Sequence, residues 1–264
     1  MKRSYRSLLI LPALALFLGT AASASAEKIR FGVTAGPHAQ IAEAIVPIAK
    51  AKGLDIEVIE FSDGALIDPA TNDGDLDANG FQHTPYLDQQ NRDRGLAVVS
   101  VGKTVLLPMA GYSKKYKTLA ELPDGAQVTI PNDPSNLGRA LKLLEKGGLI
   151  KLTAGVTFNA TELDVIENPK NIKIIPLETA QLPRSLEDVD FSVITSHFAL
   201  SAGLVPTRDS ILIEDQLSDY HCLIGVAEKN KDAPWVKTLV EAYQSPEVKS
   251  FIETKFGGNV IAVW

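Results

Sequence analysis

The sequence predicts an α/β protein of two lobes joined by two crossing strands. Strand-like runs alternate with helical ones along the chain, the pattern of βαβ units and a mostly parallel sheet. Two apolar, extended, glycine-containing runs, Val105 to Tyr112 and Cys222 to Ala227, each end in a charged turn. Between them sits a second α/β block from Tyr116 to Tyr220. These runs read as the connections between lobes, with hinges near Met109 to Tyr112 and Leu223 to Val226. The expected boundaries are 27–109 with 226–264 for the first lobe and 110–225 for the second.

The elements follow in order. Lys2, Arg3 and Arg6 precede an apolar stretch from Leu8 to Gly19 and the small residues Ala24-Ser25-Ala26. That is a secretory signal peptide over residues 1–26, too short to span a membrane. Of 264 residues, 238 remain after its removal, and losing three positive charges takes the net charge from −6 to −9. An acidic chain of this kind is not built for nucleic acid or anionic membranes. A hydrophobic content of 45% is enough for a sizeable core.

Ile29 to Val33 reads as a strand and Gly36-Pro37-His38 as a turn. Ile41, Ala42, Ile45, Ile48 and Ala49 then mark a helical stripe that Gly53 closes. Ile56 to Phe61 is a strand, Ser62 to Gly80 a loop with a short helix, Thr84 to Arg94 a polar helix, and Leu96 to Val101 a strand. In the second block, Gln127-Val128-Thr129-Ile130 leads through Pro131-Asn132-Asp133-Pro134-Ser135-Asn136 into a helix marked by Ala140, Leu141, Leu143 and Leu144. Asp133 or Ser135 can cap that helix. Helices over Pro234 to Gln244 and Pro246 to Phe256 are expected to pack back on the first lobe.

A helix N-terminus presents unpaired N–H groups and a partial positive charge. Arg139, one turn in, adds a planar fork that matches a carboxylate. The segment Phe81-Gln82-His83-Thr84-Pro85-Tyr86 supplies rings with polar tips, and Tyr112 closes the first crossing run. Rings from one lobe and an arginine from the other describe an amino-acid site, although core filling accounts for the rings equally well.

Other motifs fail. Asp75-Leu76-Asp77-Ala78-Asn79-Gly80 opens like a calcium loop, but Tyr86 stands where the closing glutamate belongs. Gly102-Lys103-Thr104 lacks both the leading glycine and the following helix of a phosphate-binding loop. His38, His83, His197 and His221 show no metal-ligand spacing, so no metal or other cofactor is expected. The single Cys222 cannot form an internal disulfide and reads as a buried strand residue. No nucleophile elbow or Cys/His pattern points to an enzyme.

The runs Gly32 to His38, Asp77 to Leu87, Ala110 to Lys115, Pro131 to Asn136, Glu167 to Asn171 and Gln181 to Leu186 together resemble the methionine-binding proteins of ABC importers, the NlpA-type lipoprotein family. The resemblance spans essentially the whole mature chain. It implies a type II periplasmic-binding-protein fold: a monomer that closes on methionine, L- or D-, and delivers it to an inner-membrane ABC permease with a cytoplasmic ATPase. It further implies that Arg139 pairs with the ligand carboxylate and Asn136 orients the ligand. Phe81, His83, Tyr86 and Tyr112 would wall the thioether pocket. Two departures stand out. Leu18-Gly19-Thr20-Ala21 has alanine where the family's lipid-bearing cysteine would be, so an unlipidated periplasmic protein is expected. Thr195 follows Phe191-Ser192-Val193-Ile194 where the family often has an asparagine for the ligand's amino group. The rival readings are another ligand on the same fold (a different apolar amino acid, short peptide, metal ion or oxyanion) and a secreted enzyme.

Overall fold

The computed structural model describes residues 27–215 and 219–264. The signal-peptide and lipidation readings therefore lie outside the described residues.

The first lobe opens with β1 (Glu27–Thr34), α1 (Pro37–Ala51), β2 (Leu54–Phe61), α2 (Ile67–Asp73), β3 (Ala78–Asn79), α3 (Thr84–Arg94) and β4 (Val98–Lys103). The short β5 (Val105–Leu106) begins the first crossing. The second lobe runs through β6 (Ala110–Tyr112), β7 (Gln127–Pro131), α4 (Pro134–Lys146), β8 (Lys151–Leu152), β9 (Val165–Glu167), β10 (Lys173–Leu177), α5 (Leu182–Ser185), β11 (Phe191–Ile194), α6 (Ser196–Ser201), α7 (Pro206–Asp209) and β12 (Leu212–Ile213). The chain then returns with β13 (Leu223–Ala227), α8 (Pro234–Tyr243), α9 (Pro246–Phe256) and β14 (Ile261–Ala262).

Each lobe has its own five-stranded sheet, in the orders β2-β1-β3-β13-β4 and β10-β7-β11-β6-β12. β1 is parallel to β2 and β3, while β13 runs antiparallel to β3 and β4. In the second sheet β7 is parallel to β10 and β11, and β6 is antiparallel to β11. The parallel strands are buried on both faces, so they read as continuous apolar runs such as Phe191-Ser192-Val193-Ile194.

Two separate cores follow. In the first, Ile29, Phe31 and Val33 meet Ile41 and Ile45 of α1 and Leu239 and Ile252 of the C-terminal helices. In the second, Val128 and Ile130 meet Leu141 and Leu144 of α4. At about 1.5–3 kcal/mol per fully buried large aliphatic side chain, each cluster supports its own lobe. The packing of α8 and α9 on the first lobe is as the sequence predicts.

The crossings differ from the sequence expectation. All of β13 pairs within the first sheet, so Leu223 to Val226 belongs to the first lobe and the second crossing ends before Leu223. β6 pairs throughout its length in the second sheet, so Ala110 to Tyr112 is likewise fixed to its lobe. The apolar glycine-containing pattern of both runs reflects burial in a sheet rather than freedom to bend. The C-terminal β14 pairs with β5, tying the start of the first crossing to the first lobe.

Candidate functional site

A cavity of about 270 Å3 lies between the lobes. Its walls come from residues just beyond the carboxyl ends of parallel strands: Thr34 and His38 after β1, Asp63 and Gly64 after β2, Asn132, Asp133 and Asn136 after β7, Glu178 and Thr179 after β10, and Thr195 to Phe198 after β11. Open parallel sheets place their ligands there because the helices that follow aim N–H groups at the same point.

Helix α4 supplies the polar side. Pro134 fits its first turn, and the Asp133 carboxylate accepts the Asn136 backbone N–H at 3.0 Å. Asp133, not Ser135, is therefore the cap. The Asn136 side-chain amide donates to both Asp133 carboxylate oxygens at 3.1 Å, which leaves its carbonyl facing the other lobe. There His83 Nε2 lies 3.0 Å from Asn136 Oδ1. His83 Nδ1 accepts the Tyr86 backbone N–H at 3.2 Å, so the proton is assigned to Nε2 and His83 donates across the cleft. A second lobe-to-lobe bond runs from the Ser135 backbone N–H to Gln89 Oε1 at 3.1 Å. The cleft is closed.

Arg139 is 5% exposed and lines the cavity. Its Nε donates to Glu214 Oε1 at 3.0 Å and its Nη2 to Glu214 Oε2 at 2.5 Å. Nη2 also reaches the Leu107 carbonyl at 3.0 Å. The guanidinium lies 4.4 Å from the centre of the Tyr220 ring, a cation–π arrangement. Glu214 thus takes one edge of the fork, and Nη1 makes no hydrogen bond among the described residues.

The apolar wall combines Phe81 and Tyr86, edge to face at 5.9 Å, with His83 against Tyr220 at 5.0 Å. His197 and Phe198 continue it from the second lobe, and His38 meets His197 at 5.7 Å. Burial lowers the pKa of His38 to about 4. Burial first, and then the Arg139 cation, lower that of His83 to about 3. His197 is pushed well below its ordinary value by burial first, and then by the nearness of His38, Arg139 and His83. All three rings are neutral near pH 7 and add no positive charge beside Arg139. Buried hydroxyls of Thr34 and Thr195 and the Gln82 carbonyl oxygen also border the cavity without partners among the described residues. No cluster of three or more metal-ligating side chains occurs among the described residues.

Of the seven residues singled out from sequence, Arg139, Asn136, Phe81, His83, Tyr86 and Thr195 line this cavity together. Tyr112 does not. It points into the second lobe among Leu182, Leu186 and Ile194, because β6 is a central strand and its side chain there meets α5 rather than the cleft. Sequence reading missed His38, Glu178, His197, Phe198, Tyr220 and Glu214. The first four follow strand ends, a positional signal present in the sequence. Tyr220 and Glu214 lie on the second crossing, where no periodicity marks them.

Two lobes, two crossings and a closed cleft at the strand ends define the class of two-lobed solute-binding proteins. The chain belongs to the NlpA lipoprotein family, whose profile matches residues 29–264. It is 52% identical over 239 residues to the D-methionine-binding lipoprotein MetQ of Escherichia coli (strain K12), covering 89% of this chain and 88% of that one. A nutrient binding protein from Burkholderia cenocepacia solved bound to methionine superposes with a TM-score of 0.88 at 51% identity, covering 89% of this chain and 100% of that one. A periplasmic substrate-binding protein of an ABC transporter from Coxiella burnetii superposes at 0.86 with 44% identity, covering 89% and 100%.

Proposed function

We propose that this chain is the extracytoplasmic solute-binding component of an ABC importer, capturing methionine between its lobes for delivery to the permease. The observation that carries this reading is the cavity itself: an arginine fork and a ring-lined slot enclosed together in about 270 Å3. Ligand pockets generally run from about 300 to 1,000 Å3, so this one suits a single amino acid and excludes a longer peptide. The similarity to a protein solved with methionine supports the choice of ligand.

Arg139 Nη1 takes the ligand carboxylate, and Asn136, locked by Asp133, orients it. Thr195 and the bordering carboxylates Asp63 and Glu178 face the ammonium end. Phe81, His83 and Tyr86 receive the thioether, where sulfur–ring contacts add about 0.3–1.5 kcal/mol. Binding needs no reaction, so the chain acts as a carrier rather than an enzyme. The naming of its relatives fits delivery outside the cytoplasm.

The test is a thermal-shift panel of the standard amino acids and D-methionine on refolded, ligand-stripped protein. Methionine should raise the melting temperature most. A larger shift with an acidic or basic amino acid, or none with methionine, would overturn the assignment.

A further inference from the structure

The Arg139 environment holds more than a counter-ion. Glu214 follows β12 on the second crossing and is tied to the first: its backbone N–H donates to the Met109 carbonyl at 2.9 Å, and its Oε2 accepts the Met109 N–H at 3.1 Å. The same carboxylate clasps the Nε and Nη2 edge of Arg139, whose Nη2 also binds Leu107. Tyr220, on the second crossing, covers the guanidinium face. The side chains of Arg139 and Glu214 are only 5% and 14% exposed. A guanidinium held on one edge and one face has a single orientation left, with Nη1 as its remaining donor nitrogen.

We infer that Glu214 is a positioning residue that fixes Arg139 so that only Nη1 is offered to a ligand carboxylate, making carboxylate selectivity depend on an acid of the second crossing. The inference rests on the reading that Arg139 receives the ligand's carboxylate. Without Glu214 the long arginine side chain regains rotamer freedom, which must be lost again on binding. The pair also neutralises Arg139, so preference for a carboxylate comes from a fixed donor rather than from a bare charge.

The experiment compares methionine with methioninol, which keeps the side chain and amino group but carries an alcohol in place of the carboxylate. Calorimetry is done on the wild type, Glu214→Ala and Glu214→Gln. The ratio of the two affinities should fall by about tenfold or more in Glu214→Ala. In Glu214→Gln, which keeps the reach and one acceptor oxygen, it should fall less. Equal weakening of both ligands, which leaves the ratio unchanged, would mean a purely structural role, and an increased ratio would mean that Glu214 only competes with the ligand. Either result overturns the inference. A ligand-free arm follows the Arg139 side-chain Nε–H by NMR: a protected signal in the wild type should be lost in Glu214→Ala, and equal exchange in both proteins contradicts the positioning role. If the wild type ignores methionine yet shows the protected signal, the functional reading fails and the Glu214 clasp stands.

Discussion

His38 and His83 show how single residues set the conditions under which this fold is stable. Both are buried and neutral, with pKa values lowered to about 4 and about 3. Burial dominates in each, and His83 also faces the Arg139 cation and His221. An unfolded histidine titrates near 6.5, so the sign is fixed: above that pH neither state gains, and below it the unfolded chain binds protons the folded one refuses. At about 1.36 kcal/mol per unit, each costs about 2 kcal/mol at pH 5. Asp68 opposes them, since burial raises its pKa to about 6 and the folded form takes up its proton first. That returns about 1.4 kcal/mol at pH 5. With His197 also held neutral by burial, three histidines outweigh one aspartate, and stability should fall by more than about 2 kcal/mol between pH 7 and pH 5. Urea unfolding at the two pH values checks this; equal or greater stability at pH 5 would contradict it.

At the scale of an element, α4 carries the polar half of the site, and its own construction is testable. Gly138 sits in mid-helix, where alanine ordinarily stabilises by about 0.5–1 kcal/mol. Here a Cβ would stand 2.6 Å from the Phe158 carbonyl oxygen and 3.1 Å from the Ala160 nitrogen, both backbone atoms. Gly138→Ala should therefore destabilise, by about 1–3 kcal/mol as for other overpacked sites. It should also loosen Phe158 from the Tyr220 ring, now 5.3 Å away, with stability read by denaturant titration. A gain in stability would show that the loop yields freely. Asp133→Ala should cost about 1 kcal/mol as a lost cap and release Asn136. The strand-turn-helix of β7 and α4 was legible in sequence because its signals are local: proline at the entry, a capping aspartate, leucines at helical spacing. The same holds for Phe81, His83 and Tyr86, which share one short segment. Glu214 and Tyr220 were not legible, since their meaning arises from a contact with Arg139 some 75 residues away for Glu214. Tyr112 misled for the opposite reason: an aromatic at the end of an apolar run has the same local pattern whether it faces a cleft or a core.

In the whole molecule, control of the first crossing changes hands within a few residues. Val105 and Leu106 are paired with β14, while Leu107, Pro108 and Met109 are bonded to Arg139, Ser196 and Glu214 of the second lobe and crossing. The backbone bonding of this crossing therefore passes from the first lobe to the second between Leu106 and Leu107, while the Leu107 side chain stays in the first core. Closure also brings Gly36, at φ 84°, against Ser201, where any side chain would collide with the Ser201 hydroxyl. Gly36→Val should hold the lobes apart as well as straining the turn. Small-angle scattering should then show no contraction when methionine is added, whereas the wild type contracts; a contraction equal to that of the wild type would place the closing contact elsewhere.

The central claim is that this cleft holds an amino acid by its carboxylate through Arg139. Calorimetric titration of refolded, ligand-stripped protein with methionine tests it most directly, with Arg139→Lys beside the wild type. Lysine keeps a positive charge for Glu214 but has no fork with which to serve both Glu214 and a ligand. The account predicts one methionine per chain for the wild type and an affinity loss of about 2–5 kcal/mol in Arg139→Lys. Equal affinity in the two proteins would contradict it.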